Sequence, residues 1–549
     1  MRLKQVVTFL ILFLGFQCIQ ASAQQVVATW TDASGNWSNP ANWSTLTVPN
    51  KGGGKTYSVT ISAPSSGVAM DVPNATIDNL TLGTATSLNI NPGDSFSLAS
   101  GTSPNRGTFA NYGTFNNNSD SGFFSDGNMN NYGVVNNSGA LVSLGEATNN
   151  GTIINSGSIG ADVGSLTNNK VLINMNNGGL GAIAGGSIYN NGTIINSSGS
   201  SISLDVGSYF FNSGTVINSG TFFAETNDPP ANVFIGNFIN ESSGSFYAAV
   251  VDSGGTVVNN GGFSLACGIL GYCGSVNSGT FINNGTLDNS GAVPGAPGCI
   301  SGSTCAFNNT GTIINQGIFS NMASGVFNNR SGANLMNAGT INNSGVFTNS
   351  GAVTISNSGL FTTSTNYTQT AGRTTVDGTL AATNGAIVDI QGGKLGGTGT
   401  INGNVLVAGT MMPGDAPGTL TIIGNYEQAG TGIFAELMSP YAQAFLDVSG
   451  NVVLDPGATL DITLLGGFNP LGDRISIMDF STLSGQFANG SSFWDDNYLW
   501  DITYRQHEVD VTAVQAPEPG TLSLLGVALV GLVLYRWRNW ARSLRRPCL

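Results

Sequence analysis

The chain has 549 residues, 30 acidic side chains against 16 basic, a formal net charge of −14 and only 8 % charged residues. A surface this acidic repels phosphates and offers no basic footprint, which argues against nucleic acid as a partner. Its hydrophobic content of 40 % is high for a disordered chain, and length alone suggests several domains unless repeats intervene.

The N-terminal stretch MRLKQVVTFLILFLGFQCIQASAQQ has basic Arg2 and Lys4, an apolar run from Val6 to Phe16 and a small-x-small site at Ala21-Ser22-Ala23. This pattern predicts a secretory signal peptide over residues 1–23 and a mature N-terminus near Gln24. The apolar run is too short to span a membrane comfortably as a retained anchor. Gln17 before Cys18 spoils a lipoprotein box.

Residues 24–105 are expected to form an N-terminal β-rich cap. They carry Trp30, Trp37 and Trp43, then three alternating runs, YSVTISAP, TIDNLTLG and SLNINPGDSFSLASG. The tryptophans could cover the open end of a β-structure, or offer ring faces to a sugar. This Trp spacing followed by strands resembles the start of autotransporter-like β-helix proteins.

Residues 106–365 repeat a short unit. Asn-x-Gly followed by Thr or a small residue and then apolar residues occurs as NYGTF at 111, NNGTII at 149 and 190, NSGTVI at 212 and NTGTII at 309. Within clusters the glycines lie six apart, as at 279, 285 and 291; between clusters the step is 20 from 113 to 133 and 22 from 192 to 214. A period near twenty built from short β-branched runs predicts a solenoid. We expect an all-β parallel β-helix with Asn and Gly supplying positive-φ turns, and stacked Asn side chains laddering along the axis. A left-handed helix of hexapeptides is the alternative; the variable step favours the right-handed form. A disordered Asn/Gly/Ser linker would not keep its apolar residues in register.

Four cysteines fall inside the repeats: Cys267 and Cys273 in CGILGYC, Cys299 and Cys305 in CISGSTC. An even number in an exported chain predicts disulfides. Structural zinc prefers closer pairs, and no histidine is near. Local pairing, Cys267–Cys273 and Cys299–Cys305, closes the shorter loops at lower entropic cost.

Residues 366–515 form the C-terminal β region. LGGTGTINGNVLVAGTMMPGDAPGTLTIIGNY at 395–426 resembles the passenger-associated repeat of autotransporters. Autotransporters continue into a large outer-membrane barrel. The residues after Val514 are too few for one, so a different export route is expected.

That route is suggested by residues 516–549. Pro517-Glu518-Pro519 is followed by an apolar stretch from about Leu522 to Tyr535 and by Arg536, Arg538, Arg542, Arg545 and Arg546. The order of these three parts resembles the PEP-CTERM sorting signal. The resemblance implies recognition by an exosortase, with the Sec machinery for export, and transfer to the surface of a Gram-negative cell. The apolar stretch predicts a short C-terminal transmembrane helix, a transient inner-membrane anchor held by its arginines through the positive-inside rule. An anchor that is never cut is the alternative.

Catalytic signals are weak. His507 is the only histidine, and no GxSxG, HExxH or Walker loop occurs. Asp495 and Asp496 are adjacent, so a strand would point them to opposite faces. No cofactor, metal site or calcium repeat is expected. The sequence therefore predicts a non-enzymatic exported protein of the cell surface or extracellular matrix, adhesin-like or associated with exopolysaccharide. The alternative is a β-helix polysaccharide lyase or hydrolase.

Overall fold

A computed structural model describes residues 23–205, 207–224, 232–234, 236–247, 251–252, 254–265, 274–289, 306–414, 418–440, 443–514 and 521–543. The chain divides into two compact units, Met1–Val346 and Phe347–Leu549.

The first unit is a parallel β-solenoid. One coil shows why. Thr108–Asn111, Thr114–Asn117 and Ser121–Ser125 are three short strands separated by tight turns. Each pairs in parallel with its counterpart one coil later, Asn128–Asn131, Val134–Asn137 and Ala140–Ser143. Three parallel sheets result, named here I, II and III in the order a coil visits them. A run such as Thr152–Asn155 (TIIN) is too short for a helix. Its alternation places Ile153 and Asn155 inward and Thr152 and Ile154 outward. No single coil can cover its inward residues. Stacking does so, and Phe210, Val216, Phe222 and Phe238 are each fully buried. Each such side chain contributes about 1.5–3 kcal/mol.

The coils begin before the Asn-x-Gly repeat. Gln24–Thr29 already pairs in parallel with Lys55–Ile61, and Gly67–Met70 with Ser87–Ile90. The region read as a cap is thus wound in the same three sheets.

Where the Asn of Asn-x-Gly closes a repeat strand, as Asn155 closes Thr152–Asn155, it is the last inward residue. Its amide donates to the amide oxygen one coil on. The column Asn117, Asn137, Asn155, Asn174, Asn196, Asn218 runs unbroken through Asn240, Asn259, Asn283 and Asn315 to Asn337, with Nδ2–Oδ1 distances of 2.7–2.9 Å. The second amide hydrogen reaches a backbone carbonyl, as from Asn196 to Thr221. The buried amides of this column are thereby linked end to end.

The glycine of the motif serves differently from the expectation. Glycines such as Gly133 and Gly214 are absent from the positive-φ residues. Space is what bars a side chain: a Cβ on Gly214 would lie 2.0 Å from the carbonyl oxygen of Gly192 in the neighbouring coil. The corners stack backbone on backbone.

The second unit also winds in parallel coils. Leu360–Thr363 pairs with Thr379–Ala382, and Asn451–Leu454 with Thr482–Gly485. Here Gln369 and Gln428 replace the buried Asn. The unit then turns antiparallel: Glu508–Val514 pairs with both Arg474–Asp479 and Tyr498–Tyr504.

Thr521–Ser543 is a helix. It corrects the transmembrane expectation, because among the described residues no helix is long and apolar enough to cross a membrane. The apolar run from Leu522 ends at Tyr535, where Arg536 and Arg538 begin. At ~1.5 Å per residue it reaches about 21 Å, against a hydrocarbon core of about 30 Å.

Candidate functional site

The tail carries the most specific chemistry. The helix presents Val527, Leu529, Val530, Leu532 and Val533 at 58–71 % exposure, and Arg536 and Arg538 are also exposed. Trp537 and Trp540 follow at 67 % and 62 %. Along the helix an apolar segment thus gives way to cations and indoles. Arg542 lies in the helix, whereas Pro517, Glu518, Pro519, Arg545 and Arg546 lie outside the described residues.

Cys267, Cys273, Cys299 and Cys305 also lie outside the described residues, as does the leader up to Ser22.

Trp30, Trp37 and Trp43 come together, but as core. Their exposures are 2 %, 0 % and 1 %. Trp43 meets Trp30 and Trp37 edge-on, with centroids 4.9 and 4.6 Å apart. Trp37 donates its indole N–H to the Pro49 carbonyl, and Trp43 donates to the Trp37 carbonyl. Protein covers these rings, which removes the sugar-stacking use considered for them.

In the second unit, Asp495 and Asp496 act on backbone. Thr459–Leu464 is the last strand of its sheet, paired on one side with Ile433–Met438. On its other side Ile462 N–H donates to Asp495 Oδ2 at 2.7 Å and Leu464 N–H to Asp496 Oδ2 at 2.6 Å. Asn489 both accepts from Leu460 N–H and donates to its carbonyl. Side chains thus close the edge of the sheet. Burial, then the Asp495 charge, raise the Asp461 carboxyl above its ordinary value. His507 is exposed, with Nδ1 3.0 Å from the Ser481 carbonyl.

Two features escaped the sequence reading. Asp510, 1 % exposed, lies between Arg474 Nε at 2.7 Å and Arg505 Nε at 2.6 Å. Glu436 is fully buried with neither carboxylate oxygen hydrogen-bonded, and burial pushes its pKa well above the usual value. The alternation of IFAELM, which sets Glu436 on the face of Phe434 and Met438, was the available signal.

An open groove of about 360 Å³ crosses the second unit, lined by Asn404, Asn425, Asn451, Leu406, Glu427 and Val453. It holds a single carboxylate. Among the described residues no group of three or more His, Cys, Asp or Glu could hold a metal ion.

These features define a class: a parallel β-solenoid followed by an exposed apolar-then-basic helix. Residues 515–539 match the PEP-CTERM protein-sorting motif. The chain is therefore a β-solenoid carrying a PEP-CTERM sorting motif, and that motif implies an exported protein, processed by an exosortase and sorted to the cell surface. No curated protein matches the chain.

Proposed function

We propose that the exported chain is a non-enzymatic structural protein of the cell surface or extracellular matrix of a Gram-negative cell, adhesin-like or associated with exopolysaccharide in a biofilm. The observation that supports this reading is the pairing of a sorting motif with a solenoid whose interior is committed to apolar side chains and amide ladders. Such an interior suits a rigid spacer, and the outward Asn, Ser and Thr suit contact with hydroxyl-rich polymers or glycosylation. On this reading the Sec machinery exports the chain and a signal peptidase cuts near Gln24. The apolar helix then holds the chain transiently at the inner membrane until exosortase processing. The groove over Asn404, Asn425 and Glu427 favours the second reading, a carbohydrate-active enzyme.

Mass spectrometry of the protein from fractionated cells tests the first reading. The expected surface form starts near Gln24 and lacks Leu522 onward. Intact Arg545-Arg546 on surface-exposed protein would overturn the processing step. Release of soluble sugars from exopolysaccharide by the purified protein would favour the enzyme.

A further inference from the structure

Sheet II of the first unit has an outward face unlike the other two. Its strands from Thr152–Asn155 to Thr312–Asn315 are eight in number and read TIIN, VLIN, TIIN, TVIN, NFIN, TVVN, TFIN and TIIN. All pair in parallel with strict register, as Thr193↔Thr215 and Ile195↔Ile217. The outward positions therefore form two columns. One is Thr, with Val171 and Asn237 the departures; the other is Ile, with Val258 the departure. No strand of the eight carries a charge, in a chain whose net charge is −14. Sheet III by contrast shows Ser201, Ser203, Gly160 and Asp288 outward.

The connections respect this face. Turns on both sides of these eight strands are two to four residues long.

We propose that this Thr/Ile face is a self-association surface, on which a second copy of the chain lays the same face. Three arguments select that occupant. The ladder repeats every ~4.8 Å, and another copy has the same pitch, so β-branched side chains can interdigitate along the whole length. The absence of charge lets two acidic molecules meet here without repulsion or desolvated ions. At ~4.8 Å per strand and ~3.3 Å per residue the face covers roughly 500 Å². Two copies thus bury roughly 1,000 Å², the lower mark of a biological interface and the size of a reversible one.

Sedimentation velocity on the surface form of the protein tests this. The parent should show a concentration-dependent monomer–dimer equilibrium. The variant Thr215→Glu/Ile217→Glu should weaken association at least about tenfold, with an unchanged circular dichroism spectrum. Ser201→Glu/Ser203→Glu on sheet III should leave it intact. Should the acidic variant fail to fold, Ile195→Ser/Ile217→Ser keeps the face neutral and should weaken association in the same direction. A parent monomeric at all concentrations, or face variants that dimerise like the parent, would overturn the proposal. So would a monomeric parent that pellets with microcrystalline cellulose through this face, which would make it a carbohydrate surface. None of these outcomes depends on where the tail is cut.

Discussion

At Gly214 a methyl group has nowhere to go. Its Cβ would sit 2.0 Å from the Gly192 oxygen and 2.8 Å from the Asn191 carbonyl carbon. Gly214→Ala is therefore expected to cost about 1–3 kcal/mol by overpacking. Ser213, beside it, is exposed, and Ser213→Ala should stay within about 0.5 kcal/mol. Denaturant unfolding of both variants measures the contrast; equal costs would refute the steric account. Glu436 gives a pH test. Its folded pKa lies well above the ordinary value because burial disfavours the charge. The folded state thus holds a proton that the unfolded chain releases near pH ~4.3. The resulting stability is complete below that pH and is lost as pH rises toward the folded pKa. Glu436→Gln lacks this loss. Relative to the parent it should gain up to ~1.4 kcal/mol per pH unit from about pH 5 until the folded pKa is passed. Parallel denaturation curves at pH 5 and pH 8 would sink the assignment.

At the scale of the element, the strand is the legible unit. Thr-Ile-Ile-Asn states its own length, its inward face and its ladder amide, and the structure has all three. The role of the following glycine was less legible, because a close backbone approach and a positive φ both exclude side chains and leave the same residue in the sequence. The edge of Thr459–Leu464 was not legible either. Asp495 and Asp496 read as adjacent acids on opposite faces, whereas both turn back onto the N–H groups of a strand more than 30 residues earlier. Asp495→Ala with Asp496→Ala should leave Ile462 and Leu464 N–H unpaired, at about 1–3 kcal/mol each. It should also open an edge for pairing between chains. Light scattering during incubation should rise in the double variant and stay flat in the parent. A soluble variant of unchanged stability would show the edge needs no closure.

At the scale of the whole molecule, the sorting motif was readable because its three parts lie consecutively in the chain. The earliest coils were not, because in residues 24–105 the Asn-x-Gly at Asn50 and Asn91 is not followed by Thr and an apolar run, and only pairing reveals that Gln24–Thr29 belongs to the same stack. The outward Thr and Ile columns also hid in the sequence, since each coil contributes just two residues to them.

The amide column from Asn117 to Asn337 has one further consequence. Every link donates in the same direction along the chain, from each Asn to the next coil's Asn. The amide dipoles therefore add, like peptide dipoles in a helix. The oxygen of Asn117 forms the negative end of this column, and the Ser121 hydroxyl donates to it. A second column, starting at Asn111, has no donor at that oxygen among the described residues. The interior of a β-solenoid thus acquires a head and a tail, an electrostatic polarity stored in uncharged side chains.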